Sequence, residues 1–123
     1  MFTEVFREVA SKEGVVSIVS WAEGDAHVVN TWNSYLVFPD DETVLIPAWK
    51  MRKTEANTLK QGKVLLTLGS KEVQGRMGPG TGFLLEGTAS FLSSGAAFDA
   101  MKAQFPFLTR VLAVKVSSLK QTI

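Results

Sequence analysis

The chain has no cysteine and a single histidine, His27. Without thiols there is no disulfide scaffold, no thiolate nucleophile and no iron–sulfur ligation, and one imidazole cannot supply a histidine metal triad. A structural or surface role is the simplest reading of His27. Charge of one sign is missing as well. Thirteen Lys and Arg face twelve Asp and Glu, for a net charge of +1, so no field gathers polyanions and nucleic acid is not an expected partner. Long apolar runs are absent: residues 44–49 form one of the longest, far below the length of a bilayer span. Residues 1–7 carry an acid among apolar side chains and lack the basic start of a signal peptide. A soluble protein with no membrane partner and a cytoplasmic location is expected. No Ser/His/Asp arrangement or pair of acids stands out, so hydrolase chemistry has no support and no catalytic residue is assigned.

What is present is apolar material for one core. The chain has 123 residues, 46% of them hydrophobic, which suits a single domain spanning 1–123 that folds without staples. Thr3 can cap a helix with Val5, Phe6 and Val9 on one face, ended by Gly14. Residues 15–21 and 26–33 read as strands around a turn at 23–25, with 35–38 continuing or restarting the second. A turn at 39–42 leads to a strand at 43–46. Thr54 can cap a helix running to Gln61, with Glu55 near its positive end and Gly62 beyond it. Residues 64–68 are a strand, 69–82 a glycine-rich connection or functional loop, and 83–91 its partner strand. A helix over 95–105 ends before Pro106, and 111–116 is the last strand. The pattern is mainly β: a six-stranded antiparallel barrel with short flanking helices.

Two clusters carry the chemistry. Lys50-Met51-Arg52-Lys53-Thr54-Glu55 crowds three cations at a helix start, where unpaired N–H groups and the dipole favour an anion, most simply phosphate; the alternative is solvated surface. Asn30-Thr31-Trp32-Asn33-Ser34-Tyr35 is a polar run inside a strand, suited either to a heterocycle with donors and acceptors on its rim or to an edge strand meeting water. The glycines at 75, 78, 80 and 82 lack the GK[ST] of a nucleotide loop and read as permissive hairpin backbone. Ser70, Lys71 and Arg76 in that stretch could add contacts to a phosphate. Among the tryptophans, Trp32 and Trp49 sit in or beside the two clusters, where an aromatic could pack on a flat ring.

Taken together, N-T-W-N-S-Y at 30–35, K-T-E-A-N at 53–57, T-L-G-S at 67–70 and G-P-G-T-G-F at 78–83 resemble the small FMN-binding proteins of anaerobic bacteria. E-G-V-V at 13–16, the H-V-V-N-T-W run from His27 and the ending Q-T-I at 121–123 extend the resemblance over nearly the whole chain. It implies a split β-barrel of the flavin reductase-like and pyridoxamine-phosphate oxidase-like superfamily, binding FMN non-covalently, usually as a homodimer. By the same resemblance Asn30, Thr31 and Trp32 match the strand against the flavin, Lys53 and Thr54 the phosphate-binding pair, and Ser70 a turn near the phosphate end. Asn57 ends K-T-E-A-N and Met51 belongs to the cluster at 50–55; both join the expected cofactor site, as does Ile123 reaching a partner subunit's flavin. Trp49 and Lys50 depart from the family, which has small glycines there; if that backbone runs beside the ring, Trp49 either covers the ring or turns away from it, and Lys50 would place a positive charge near it. The implied function is a small electron-transfer protein serving an unknown redox partner. The alternatives are an NAD(P)H-dependent flavin reductase or pyridoxamine-phosphate oxidase-like enzyme, and a non-redox FMN store or sensor.

Overall fold

The computed structural model describes residues 1–123. Its elements run α1 (Glu4–Ser11), β1 (Val15–Ala22), β2 (Asp25–Trp32), a 3-10 turn (Asn33–Tyr35), β3 (Thr43–Ala48), α2 (Arg52–Lys60), β4 (Lys63–Gln74), β5 (Pro79–Leu92), α3 (Ala96–Gln104) and β6 (Arg110–Gln121). The strands form one antiparallel sheet in the order β2-β1-β4-β5-β6-β3. The long β5 pairs with β4 on one side and β6 on the other, and the sheet curls around the apolar side chains of its inner face. β2 and β3 stay apart as edges, which makes the barrel split as expected.

Local chemistry accounts for most elements. Thr3 Oγ1 accepts from the Phe6 N–H at 3.1 Å and caps α1, whose buried Phe6 and Val9 fill the barrel interior. The Phe6 ring meets Phe83 edge-on at 5.3 Å, a favoured geometry for an aromatic pair. Glu23 and Gly24, with φ of 55° and 91°, form the two-residue loop between β1 and β2, a turn whose twist matches the strands it joins. A second cluster, Leu45, Met101, Phe105, Leu108 and Val111, lies under α3. No helix is long and apolar enough to cross a membrane.

Four sequence expectations need correction. Gly14 does not end α1 in a left-handed conformation; the helix stops at Ser11 on an extended Lys12. Gly14 answers a close approach instead, since a Cβ there would lie 3.0 Å from the Gly69 carbonyl oxygen and 3.1 Å from Asn33 Nδ2. Residues 35–38 are not strand but the end of the 3-10 turn and one isolated bridge, Val37 with Leu45. The glycine-rich stretch 69–82 is no long loop: β4 continues to Gln74 and β5 begins at Pro79. Glycine suits the facing backbones there, because a Cβ on Gly69 would come within 3.0 Å of the Thr81 carbonyl oxygen. Finally, β6 runs past Val116 to Gln121, its polar residues pairing with β5 as far as Phe83.

Candidate cofactor site

β3 ends at Ala48, whose carbonyl accepts from the Thr109 N–H at 2.9 Å and from the Thr109 hydroxyl at 3.3 Å. The chain then turns through Trp49, Lys50 and Met51 into α2. Lys50 and Met51 are both left-handed, with φ of 64° and 51°, a conformation costing a non-glycine residue about 1–2 kcal/mol. Surrounding contacts must hold such a turn. Arg110, only 5% exposed, donates from its guanidinium to the Lys50 carbonyl. It also pairs with Glu55 Oε1 at 3.2 Å and lies 5.2 Å from the centre of the Phe91 ring. Arg52 reaches the same Glu55 oxygen at 3.0 Å.

The left-handed turn leaves the start of α2 open. Met51 occupies the capping position without a side-chain bond, and the first helical bond runs from the Glu55 N–H to the Met51 carbonyl at 3.0 Å. The N–H groups of Arg52, Lys53 and Thr54 therefore have no partner within the helix. A left-handed residue followed by right-handed ones curls successive N–H groups into a concavity that suits an anion, here at the positive end of the helix dipole. Thr54 is not the cap the sequence suggested. The turn starts the helix at Arg52, which moves Thr54 into the first turn, where it is fully buried with its Oγ1 unpartnered.

The other expected residues are distributed as follows. Lys53 is exposed on α2. Asn57 is buried and donates to Ser20 Oγ at 3.1 Å, fastening α2 to β1. Met51 packs its half-buried side chain on the main core. Trp49 is 57% exposed, with the Lys50 ammonium 4.8 Å from its ring centre. On β2 the pleat divides the motif: Thr31 is buried on the inner face, while Asn30 and Trp32 point outward. Asn30 Nδ2 donates to Ser17 Oγ at 3.2 Å, and Trp32 stands opposite Val15. Ser70 Oγ accepts from the Glu72 N–H at 3.1 Å. Ile123 is 54% exposed beside Gly82.

The carboxyl of Glu23 is held below the ordinary carboxylate range by the hydrogen bond and charge of Lys60, and to a smaller degree by the charge of Lys53. Lys60 reaches Glu23 Oε1 at 2.9 Å, so the end of α2 is fastened to the β1–β2 turn, and the helix packs against β1 and β2. Ser70 follows Gly69, which abuts Gly14 at the far end of β1. A surface cleft of about 370 Å³, lined by Trp21, Lys63, Leu65, Glu86 and Ser117 among others, contains none of the expected site residues. No cluster of three or more His, Cys, Asp or Glu could hold a metal ion. Sequence reasoning missed Arg110, whose partners Lys50 and Glu55 are 60 and 55 residues away, beyond any local pattern.

The family model described as Pyridoxamine 5'-phosphate oxidase matches residues 2–122. The FMN-binding protein of Nitratidesulfovibrio vulgaris (strain DSM 19637 / Miyazaki F) is 46% identical over 123 residues, covering all of both chains. Among solved structures, HupZ of Group A Streptococcus superimposes with a TM-score of 0.83 at 17% identity, over 99% of this chain and 94% of that one. An FMN-binding protein from Syntrophomonas wolfei subsp. wolfei gives 0.71 at 17% identity, over 88% and 76%. The FAD binding protein from Mycobacterium smegmatis gives 0.69 at 17% identity, over 98% and 92%. These three likenesses bear on the fold alone.

Proposed function

This chain belongs to the pyridoxamine 5'-phosphate oxidase family, and from that premise we propose that it binds one FMN per chain non-covalently and serves as a small electron-transfer protein. The observation that carries the reading is the start of α2. Three backbone N–H groups without helical partners, the buried unpartnered hydroxyl of Thr54 and the exposed ammonium of Lys53 are donors for which the protein offers no acceptor. A phosphate monoester fits that donor set.

In this reading Lys53, Thr54 and the N–H groups of α2 hold and orient the phosphate. An elongated ligand would extend from there toward the polar residues of β2, with Asn30 and Trp32 beside its ring. FMN, when bound, supplies the electron chemistry, and the protein supplies binding, orientation and tuning. Lys50 sits on the turn leading into the phosphate site, and a cation beside the ring favours its reduced, anionic form. Nothing in this scheme asks a side chain to act as acid or base. Val15, Val28 and Trp32 are exposed on the outer face of the sheet, and the register places half-buried Val19, Leu65 and Leu84 on the same face. A homodimer burying that face is the second part of the proposal, with Ile123 reaching toward the partner subunit's flavin.

The test is the visible spectrum of the purified protein and the identity of the flavin it releases. FMN at one per chain, with little bleaching by NADH or NADPH and rapid reduction by a small electron-transfer protein, is the expected result. Bleaching at a catalytic rate would replace the carrier with a flavin reductase, and FAD or no chromophore would overturn the assignment. Light scattering showing a flavin-loaded monomer at micromolar concentration would remove the dimer.

A further inference from the structure

Arg110 lies outside every motif that points to a cofactor, yet the turn beneath the proposed phosphate site depends on it. Its side chain is buried at the start of β6 with Nε unpartnered, and burying a guanidinium incurs a desolvation cost that apolar packing at the same place would avoid. The charge is therefore not explained by stability. What it does is geometric. One arm donates to the Lys50 carbonyl and the other to Glu55 Oε1, so one rigid fork joins the left-handed turn to the first turn of α2. Thr109, the preceding residue, holds the Ala48 carbonyl just before the turn. Lys50 and Met51 are clamped from both sides in a conformation that neither prefers.

We propose that Arg110 is a positioning residue for the cofactor phosphate: without touching the ligand, it locks the Lys50–Met51 turn so that the N–H groups opening α2 converge before the ligand arrives. The inference rests on reading that helix start as the phosphate site. It assigns a specific cost to losing the fork. A relaxed turn must be reordered on binding, which lowers affinity for a phosphate-bearing flavin and leaves one without phosphate almost unaffected.

FMN and riboflavin titrations of wild type, R110Q, R110K, K50G and the R110Q/K50G double variant test this. R110Q should weaken FMN about tenfold, the size of the left-handed strain, and riboflavin less than about twofold. R110K retains the charge but cannot reach carbonyl and carboxylate together, so about a fivefold loss is expected; it also serves if R110Q does not fold. Glycine adopts the Lys50 conformation freely, so in the K50G background R110Q should cost about threefold or less. A purely structural Arg110 would not show that coupling. Equal losses for the two flavins, or the same R110Q loss with and without K50G, would overturn the proposal. Amide exchange in the ligand-free protein separates it from the cofactor reading. The Glu55 amide, which closes the first turn on Met51, should exchange at least about tenfold faster in R110Q, with amides of β1 unchanged. Unchanged Glu55 exchange alongside normal FMN binding sinks the Arg110 proposal alone. A wild-type protein that binds neither flavin sinks the cofactor reading itself.

Discussion

The side-chain amide of Asn33 donates to the Lys12 carbonyl at 2.8 Å and to the Val9 carbonyl at 3.3 Å. Its backbone N–H donates to the Gly14 carbonyl at 2.9 Å. One buried residue thus binds the end of α1 and the approach to β1 to the end of β2, the strand that presents Asn30 and Trp32. Removing the amide in Asn33→Ala leaves the Lys12 carbonyl without its donor. The expected loss is about 1–2 kcal/mol, read from urea unfolding as a lower midpoint at unchanged slope. A change below about 0.3 kcal/mol would show that water replaces the amide without loss.

Beside that joint, Glu13 has its carboxyl held below the ordinary glutamate range, first by the Ser34 hydroxyl at 2.8 Å and then by the Gly14 N–H at 3.1 Å. The folded value therefore lies below the unfolded one. The group favours the folded state at pH above its unfolded value, and that contribution disappears as pH falls through the lowered folded value. Ser34→Ala removes the largest cause, so the Glu13 carboxyl should titrate closer to an ordinary glutamate. A carboxyl-carbon NMR titration of wild type and variant reads this directly, and a midpoint that does not move would assign the shift to the backbone N–H groups of Gly14 and residue 34.

Thr54 provides a test in which stability and binding move in opposite directions. Its hydroxyl is buried without a partner, an arrangement that costs the folded protein about 1–3 kcal/mol. Thr54→Val keeps the shape and removes the polar atom. The ligand-free variant should melt at the same temperature as wild type or higher, while FMN binds about tenfold more weakly through loss of one hydrogen bond to a charged group. Lower stability with unchanged FMN affinity would mean that the hydroxyl finds a partner within the protein and has no part in the site.

How much of this was legible in the sequence depended on whether a signal was local. The Thr3 cap, the β1 and β2 strands and the helix before Pro106 follow from patterns within one element. The split of Asn30, Thr31 and Trp32 between outer and inner faces follows from strand alternation and could have been anticipated. Residues 69–82 misled because glycine serves a loop and a close strand pair equally, and only the facing carbonyls decide between them. The Lys50–Met51 turn had no signal in its own residues; only the glycine that the resembled family carries at position 50 pointed to a left-handed conformation. Neither residue advertises a left-handed conformation, and the groups that enforce it come from Arg110 and Glu55, which the fold brings together across 55 residues. Thr54 was misread as a cap for the same reason: its position in the helix is set by a turn whose cause lies elsewhere.

Lys53 gives the most direct test of the phosphate assignment. It occupies the first turn of α2, exposed, beside N–H groups that have no helical partner. A dianionic phosphate seated there would accept a charge-assisted hydrogen bond from the ammonium, worth about 1.5–3 kcal/mol when well formed. Exposure and salt reduce that figure, since water and counterions screen the charge. Lys53→Ala should therefore weaken FMN by about one to two powers of ten at low salt, and by less as ionic strength rises. Riboflavin, which carries no phosphate, should bind the variant and the wild type about equally. The comparison needs only flavin fluorescence titrations of the two proteins at two salt concentrations. Equal losses for both flavins would place Lys53 against the ring or in support of the fold, and an FMN loss independent of salt would show that its charge is not what the phosphate feels. In either case Lys53 would be withdrawn from the phosphate site, which would then rest on the open N–H groups of α2 and the buried Thr54 hydroxyl, since Glu55 already engages Arg52 and Arg110.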